Sequence, residues 1–395
     1  MTSHPKPETF EPGQLIRKSF GLKQEIKEDL VRDYHSGIIE KIIASGHVYV
    51  EKDVTFHLAS SFGFCYGVDR AVDMAYETRQ KFPDRRIFLT AQIIHNPRVN
   101  NNLEKMGVLF LKDNLDEVRK EDVVLLPAFG ATAFEIDALS KKGCVMVDTT
   151  CGSVLNVWRR VEGYAQESFT AVIHGKYYHE ETQATSSRVL EYPGGKYLIV
   201  LNMEEVGIVC NYIRHGGDSK AFLNKFARQV SPDFDPDRDL IRVGVANQTT
   251  MLMSESLAIA AELRKALVDR YGEAHVEGHF RNFDTICSAT EDRQNAIVEF
   301  KDKNLDLVLV VGGYNSSNTN NLAKMAASFA RTYHIEDAGG LLSPREIRHK
   351  PFGQFELVTS PDWLPAGPLR MGITSGASTP NQALGEVVEK ILSFR

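Results

Sequence analysis

The chain has 395 residues, a length that predicts two or three domains and allows a sizeable hydrophobic core. Its 43% hydrophobic residues, 25% charged residues and net charge of −6 are typical of a globular protein, and they argue against a disordered chain or a non-specific nucleic-acid binder. No apolar run approaches the ~18 residues that a membrane helix needs, and residues 1–14 lack the apolar segment of a secretory signal. We therefore expect a cytoplasmic protein with no nucleic-acid or membrane partner.

The first part of the chain, residues 1–52, is polar with a helical pattern and predicts an N-terminal helical extension. After it, short apolar strands alternate with amphipathic helices, which is typical of α/β folds with parallel sheets. Two segments rich in Pro, Gly and charge interrupt this alternation and are interpreted as insertions. The pattern predicts a first α/β domain at residues 53–146, a second at 147–282 with an insertion near 210–240, and a third at 283–395 with an insertion near 332–368.

The three predicted domains share a weak repeat in which one strand leads to a cysteine, namely Cys65, Cys151 and Cys287. Asp148-Thr-Thr-Cys151 and Asp284-Thr-Ile-Cys287 show the repeat most plainly. Ligands in open α/β sheets bind beyond the carboxyl ends of the strands. Three such units around a common axis would therefore bring the three cysteines to one point.

Each of these cysteines also precedes a predicted helix. Apolar residues recur with a helical period after Cys65 and Cys151, and Ser288 and Glu291 have the spacing of a capping box after Cys287. A helix N-terminus favours the thiolate, so we expect lowered thiol pKa values and a metal-binding role. Three thiolates suit an iron–sulfur cluster with one iron that lacks a protein ligand, while three inert core thiols are the alternative.

The other two cysteines, Cys144 and Cys210, lie in apolar, strand-like segments and are interpreted as packed core thiols. The total of five is odd, and no CxxC pair is present. The sequence therefore predicts neither a disulfide framework nor a local zinc or ferredoxin motif.

Several polar loops follow strands and precede helices, an arrangement in which hydroxyls, amides and backbone N–H groups can bind an anion. They are Asn315 to Asn318, Ser378 to Pro380, and Asn247 to Thr250. Histidines near two further strand ends could add positive charge: His95, His174 and His179. Together these groups predict a diphosphate site without a lysine-bearing P-loop, although ordinary helix capping is the alternative for each loop.

A pair of carboxylates, Glu180 and Glu181, follows His179 in its loop. One of them could donate a proton to a leaving hydroxyl, with Thr249 as a relay hydroxyl. A solvated acidic pair is the alternative interpretation.

The motifs taken together resemble the 4-hydroxy-3-methylbut-2-enyl diphosphate reductase family, also called IspH/LytB. The similar segments are FGFCYGVDRAV, IIHNPRVNNNLEKMGV, DTTCGSV, HGKYYHEETQAT, ANQTTM, DTICSATEDRQNA, VVGGYNSSNTNNLA and GITSGASTPNQAL, in the same order over roughly residues 55–395. The N-terminal extension and both insertions resemble the plant and cyanobacterial subgroup.

The resemblance implies a pseudo-three-fold trefoil of similar α/β domains around one central 4Fe–4S cluster with one open iron. It implies reductive removal of the substrate's allylic hydroxyl to give isopentenyl and dimethylallyl diphosphate, the last step of the non-mevalonate (MEP) pathway. It assigns the cluster to Cys65, Cys151 and Cys287, and proton donation to Glu181 with Thr249. It assigns the diphosphate substrate to His95, His179, Gln248, Ser316, Ser317, Asn318 and Ser378, and it places Thr290 near the cluster.

One position departs from the common bacterial pattern of this family, because Phe129 stands where many members have a histidine. The resemblance also implies an electron donor protein, a ferredoxin or flavodoxin. Two alternatives remain open: a non-redox, cluster-dependent dehydratase, and an iron–sulfur sensor or binding protein. A sensor would need a fourth protein ligand, either Cys144 or Cys210.

Overall fold

The computed structural model describes residues 10–111, 114–283 and 285–395, so Asp284 of the predicted repeat lies outside the described residues. The β-strands are, in chain order, β1 (Leu15–Ile16), β2 (Val48–Glu51), β3 (Val54–Leu58), β4 (Ile87–Leu89), β5 (Val108–Phe110), β6 (Val123–Leu126), β7 (Val145–Asp148), β8 (Thr170–His174), β9 (Tyr197–Val200), β10 (Val243–Asn247), β11 (Phe280–Asn282), β12 (Leu307–Val311), β13 (Thr332–Ile335), β14 (Glu346–His349), β15 (Val358–Pro361) and β16 (Leu369–Ser375). The α-helices are α1 (Lys27–Tyr34), α2 (Gly37–Ala44), α3 (Tyr66–Lys81), α4 (Pro97–Lys105), α5 (Ala133–Lys142), α6 (Gly152–Gln166), α7 (Glu180–Val189), α8 (Met203–His215), α9 (Ser219–Lys225), α10 (Pro236–Asp239), α11 (Met253–Tyr271), α12 (Ser288–Val298), α13 (Ser317–Ala327) and α14 (Asn381–Ser393).

Three sheets define three lobes. Their strand orders are β1-β7-β6-β4-β5, β11-β10-β8-β9 and β13-β12-β16-β3-β2, and β14 pairs with β15 in a separate hairpin. Of the strand pairs in these three sheets, the one between β2 and β3 is antiparallel. Every residue of β8 and β12 is buried, as expected where helices cover both faces of a parallel sheet. The predicted α/β fold with three similar lobes is confirmed.

The strand that leads to Cys65 does not lie in the lobe expected from its position in the chain. The predicted first domain, 53–146, begins at β3, but β3 pairs with β16 in the third sheet, where Phe56 lies opposite Met371. The side chain of Phe56 is buried in the core of that lobe. The other predicted domain boundaries stay predictions.

The N-terminal extension contributes strands as well as helices. Strand β1 pairs with β7 at the edge of the first sheet, and β2 pairs with β3 in the third. The extension is also held to α3 by Glu77, a buried carboxylate that accepts hydrogen bonds from the backbone N–H groups of Phe20 and Leu22. Because the extension completes two sheets, it is an integral part of two lobes.

The prediction that Cys210 lies in a strand-like segment is wrong. The apolar segment around it is helical, and Cys210 is fully buried on α8 rather than on a strand. The predicted insertion near 210–240 therefore begins inside a helix and continues through α9 and α10. None of the helices in the described part of the chain is long and apolar enough to cross a membrane.

Candidate active site

The three cysteines of the repeat occupy equivalent positions, each as the N-cap residue of a helix: Cys65 of α3, Cys151 of α6 and Cys287 of α12. All three thiols are free and partly exposed, and they line one cavity. The start of α3 approaches the Cys151 sulfur closely, because a side-chain carbon at Gly67 would clash with that sulfur. Three separate lobes thus deliver their sulfur atoms to one point.

The helix that follows Cys287 is capped differently from the prediction. Its N-cap is Cys287 rather than Ser288, and the cysteine sulfur accepts a hydrogen bond from the backbone N–H of Thr290 at 3.3 Å. The Thr290 hydroxyl also lies 2.9 Å from this sulfur. A sulfur that caps its own helix is held at a fixed place in the cavity wall.

The expected lowering of the thiol pKa is wrong for two of these cysteines. Burial raises the pKa of Cys65 even though two backbone N–H groups of α3 favour its thiolate. Burial likewise raises the pKa of Cys287 to about 11, against the opposing hydrogen bonds from Thr290. Loss of solvation therefore outweighs the helix N-terminus, and a bound metal would have to displace these protons.

The donor set fits an iron–sulfur cluster. Three convergent thiols offer soft ligands, and such clusters are held by cysteine thiolates. The other two cysteines do not line this cavity, because Cys144 and Cys210 are fully buried in the cores of the first and second lobes. Their interpretation as core thiols is confirmed.

Beside the sulfur atoms, the cavity wall is built from hydroxyls and amides at helix N-termini. Ser316 caps α13, and Ser317 and Asn318 form its first turn, where unpaired backbone N–H groups carry partial positive charge. Asn318 joins this turn to the loop after β16, because it accepts a hydrogen bond from the backbone N–H of Ala377 at 3.1 Å. The next residue of that loop, Ser378, donates a hydrogen bond to the carbonyl of His95 at 3.3 Å. The result is a cradle for an anion.

Two histidines complete this cradle, and their hydrogen bonds define their tautomers. Nδ1 of His179 accepts from the backbone N–H of Glu181 at 3.1 Å, so the proton of the neutral ring lies on Nε2. That atom is 3.3 Å from Nε2 of His95, whose Nδ1 is 3.3 Å from Oε1 of Gln92. Burial lowers the pKa of both rings, that of His179 to about 3, so both are neutral near pH 7.

A lysine that the sequence analysis missed also reaches the cradle. Nζ of Lys176 donates to the Ser317 hydroxyl at 3.1 Å, and its charge lowers the pKa of both His95 and His179. The pKa of Lys176 is itself lowered by burial. Its position two residues after β8, between two histidines, was the available signal. Lys176 adds a positive charge beside an anion site that was predicted to rely on histidines, hydroxyls and helix N-termini; the loop that carries it is not a P-loop.

The carboxyl group of Glu181 faces the same cavity and is 3% exposed. Its Oε1 accepts from the backbone N–H of Thr249 at 2.5 Å. Burial raises the pKa of Glu181 to about 7, although hydrogen bonds from Thr249 oppose this shift. Near neutral pH the group therefore exists both as an acid that can donate a proton and as a carboxylate that can accept one. The neighbouring Glu180 is more exposed and lies 3.6 Å from Nε2 of His95.

The structure brings most of the predicted site residues together around this cavity, which has a volume of about 100 Å³. Gln248 lies behind the wall, where it accepts from the backbone N–H of Lys176 and is 3.4 Å from the Ser317 hydroxyl. His174 is not part of the site, because it is buried at the end of β8 against Ser256. The lining residues are Cys65, His95, Phe129, Cys151, His179, Glu181, Thr249, Cys287, Thr290, Ser316, Ser317, Asn318 and Ser378, together with smaller apolar and hydroxyl side chains.

Phe129 stacks on the ring of His95. It occupies the position at which many members of the similar family have a histidine. The centroids of the two stacked rings are 4.4 Å apart and the rings are nearly parallel, at 18°. Phe129 thus gives His95 an apolar support that offers no proton of its own. This contact fixes the plane of His95 beside the anion cradle.

An α/β fold that brings soft sulfur ligands and an anion cradle into one cavity suits an enzyme in which a metal cluster acts on an anionic substrate. The LytB protein family model matches residues 56–392. The chain is 48% identical over 385 residues to the 4-hydroxy-3-methylbut-2-enyl diphosphate reductase of Thermosynechococcus vestitus, covering 96% of this chain and 94% of that protein. It is 46% identical over 390 residues to the protein of the same name from Gloeobacter violaceus, covering 96% and 92%. The chain therefore belongs to the LytB family, which implies an iron–sulfur cluster.

Two solved structures share the fold. One is described as (E)-4-hydroxy-3-methyl-but-2-enyl diphosphate reductase, the terminal enzyme of the non-mevalonate pathway. It has a TM-score of 0.53 and 27% identity, over 85% of this chain and 98% of that chain. The other, E-1-hydroxy-2-methyl-but-2-enyl-4-diphosphate reductase from Plasmodium falciparum, has a TM-score of 0.63 over 85% and 86% of the two chains. At 23% identity, this second likeness shows the fold alone.

Proposed function

We propose that the chain is an iron–sulfur oxidoreductase that reduces 4-hydroxy-3-methylbut-2-enyl diphosphate to isopentenyl and dimethylallyl diphosphate, the last step of the MEP pathway. The reaction removes the allylic hydroxyl as water and consumes two electrons and two protons. The observation that carries the proposal is that three cysteine sulfurs, a buried acid and an anion cradle line one cavity. A five-carbon diphosphate could place its phosphates in the cradle and its hydroxyl near the sulfur atoms.

The cysteines that would hold the metal centre are Cys65, Cys151 and Cys287. We assign to them a single 4Fe–4S cluster, with one iron that has no cysteine ligand. When bound, such a cluster supplies electrons and a Lewis-acidic iron. Because the three cysteines are partly exposed, electrons could enter from a protein partner, for which we propose a ferredoxin or flavodoxin in the cytoplasm.

The diphosphate is held by groups that gain from its negative charge. Ser316, Ser317, Asn318 and Ser378 donate hydrogen bonds, with Gln248 supporting Ser317 from behind. The N-terminus of α13 adds its partial positive charge. His95 and His179 can donate ring N–H groups to the phosphates. The negative charge of the diphosphate also favours protonation of both rings. Together these groups orient the opposite end of the substrate toward the cysteines.

Glu181 is the proton donor in this proposal. Its raised pKa keeps a large fraction of the carboxyl group protonated near pH 7, and the N–H of Thr249 fixes one oxygen so that the other can face the substrate hydroxyl. Proton donation makes that hydroxyl a better leaving group, because water departs rather than hydroxide. The Thr249 hydroxyl stabilises the carboxylate that remains.

The direct test is oxidation of a reduced viologen dye by the anaerobically purified protein, with its full iron and sulfide verified. Dye oxidation should depend on 4-hydroxy-3-methylbut-2-enyl diphosphate and should yield both five-carbon products. A dehydratase that uses the cluster as a Lewis acid would consume substrate without oxidising the dye. A sensor would leave both substrate and dye unchanged, and either result would overturn the proposal.

The pH dependence of kcat/KM should reveal the titration of Glu181. If Glu181 must be protonated to act, then kcat/KM declines as pH rises through about 7 and approaches a tenfold loss for each further pH unit. The sign follows from the direction of the shift, because a raised pKa preserves the protonated form to higher pH. The measurement is a kcat/KM profile from pH 6 to pH 9 with a dye donor, whose own rate is checked without enzyme. A flat profile would contradict the assignment.

Replacing Lys176 by methionine should weaken binding of the diphosphate. The side-chain stem is kept while a charge-assisted hydrogen bond is lost, which costs about 1.5–3 kcal/mol, or roughly 10–100-fold in KM. Because the phosphates are distant from the reacting carbon, kcat should change little. Lys265→Met, at an exposed lysine on α11 of the same lobe, is the matched control. An unchanged KM in Lys176→Met would remove this lysine from the site.

A further inference from the structure

Arg293 is a buried cation that the proposed mechanism does not use. It lies on α12, nearly two helical turns after Cys287, and its side chain is 4% exposed. The partners of its guanidinium are carbonyl oxygens: Nη1 donates to Ala289 at 2.8 Å, and Nη2 donates to Phe62 at 3.3 Å and Gly63 at 2.6 Å. Its Nε is buried and has no hydrogen-bond partner among the described residues. The two carboxylates that contribute favourable charge, Asp69 and Asp292, are exposed.

The arginine joins two of the three cysteine-bearing segments. Phe62 and Gly63 belong to the loop that connects β3 of the third sheet to Cys65, while Arg293 itself follows Cys287. The same loop is tied to the end of β16, where the Ser375 hydroxyl accepts from the Gly63 N–H at 2.9 Å and the Ala377 carbonyl accepts from the Cys65 N–H at 3.2 Å. The guanidinium therefore connects the loop before Cys65 to the helix after Cys287.

The charge of Arg293 acts on the same two cysteines. It interacts favourably with the negatively charged forms of both Cys65 and Cys287. A buried cation with carbonyl partners is costly unless negative charge lies nearby. Two cysteine sulfurs that become anionic on binding metal would supply that charge.

We propose that Arg293 is a positioning residue of the metal centre: it sets the spacing of Cys65 and Cys287, and its buried charge raises the reduction potential of the cluster they hold. The inference rests on the proposed cluster site. Reduction adds negative charge, and a fixed cation stabilises the reduced form more than the oxidised one. Removal of the charge should therefore make the midpoint potential more negative.

The first test needs no metal. In the folded, metal-free protein, Arg293→Gln should slow alkylation of Cys65 by iodoacetamide several-fold relative to Cys151, as read by mass spectrometry of the labelled peptides. The variant lacks the positive charge that stabilises an anionic sulfur at Cys65, the form that reacts with iodoacetamide. Arg293→Lys should preserve most of the rate. Arg242→Gln is the matched control, because Arg242 also donates to two backbone carbonyls, those of Glu167 and Gly278, in the second lobe.

The second test is the midpoint potential of the reconstituted cluster, measured by redox titration with spectroscopic detection. The midpoint potential of Arg293→Gln should be more negative than that of the unaltered protein, and the potential of Arg293→Lys should lie between the two. If the Gln variant fails to hold a cluster, the midpoint potential of Arg293→Lys and the alkylation of Cys65 relative to Cys151 still test the inference. Unchanged alkylation and an unchanged potential would overturn the inference. Failure of the proposed reductase activity alone would leave both readouts intact.

Discussion

Replacement of Cys287 by serine is expected to abolish most of the activity, by at least ~100-fold, together with loss of iron. Changes to groups that merely support a metal ligand already cost ~10–100-fold in metal affinity or activity, and loss of the ligand itself should cost more. A serine hydroxyl does not provide the soft thiolate that iron–sulfur clusters require. Iron and sulfide analysis, the visible absorption of the cluster and dye-coupled turnover measure the effect.

The same substitution should leave the fold intact, which makes the outcome interpretable. Cys287 is the N-cap of α12, and serine is among the preferred residues at that position. Far-ultraviolet circular dichroism of the variant should therefore match that of the unaltered chain. Cys210→Ser is the matched control, because this thiol is fully buried in the core of the second lobe away from the cavity. It should keep its iron and lose only about 1–3 kcal/mol of stability from the buried hydroxyl. Full iron and full activity in Cys287→Ser would reject the proposed ligand set.

The local parts of this site follow from the sequence. The apolar residues after Cys65 and Cys151 have a helical period, and α3 and α6 begin directly after those cysteines. Ligands of α/β folds bind beyond the carboxyl ends of strands, and the repeat places one cysteine after a strand in each of three units, so three units around one axis predict that the cysteines converge. Neither argument needs knowledge of distant contacts.

Features that depend on distant partners could not be predicted in the same way. Strand β3 is short and buried over most of its length, and its sequence would suit either of two parallel sheets. Its actual neighbour β16 lies more than three hundred residues away in the chain. The thiol pKa values depend on how deeply three lobes bury the sulfur atoms, which the helix N-terminus alone does not reveal. Lys176 was missed because only the assembled second and third lobes place its Nζ beside Ser317.

Glu181→Gln is expected to bind the diphosphate substrate normally and to lower kcat by ~10²–10⁴-fold, the usual contribution of a general acid. The amide keeps the shape of the side chain, and its oxygen can still accept the Thr249 N–H, so the cavity should be preserved. What is lost is a proton that can be given up near pH 7. Turnover with the dye donor and substrate affinity by isothermal titration separate these two effects.

A control must show that the effect comes from the position of this acid and not from loss of any buried carboxyl group. Glu162 on α6 is suitable, because its pKa is also raised by burial although it does not line the cavity. Glu162→Gln should retain kcat and the decline of kcat/KM above about pH 7, whereas Glu181→Gln should lose that decline along with its activity. Near-normal turnover in Glu181→Gln would instead mean that the proton comes from the substrate's own diphosphate or from water. Burial of Glu181 at the cavity wall would then serve to orient His179 through its backbone N–H.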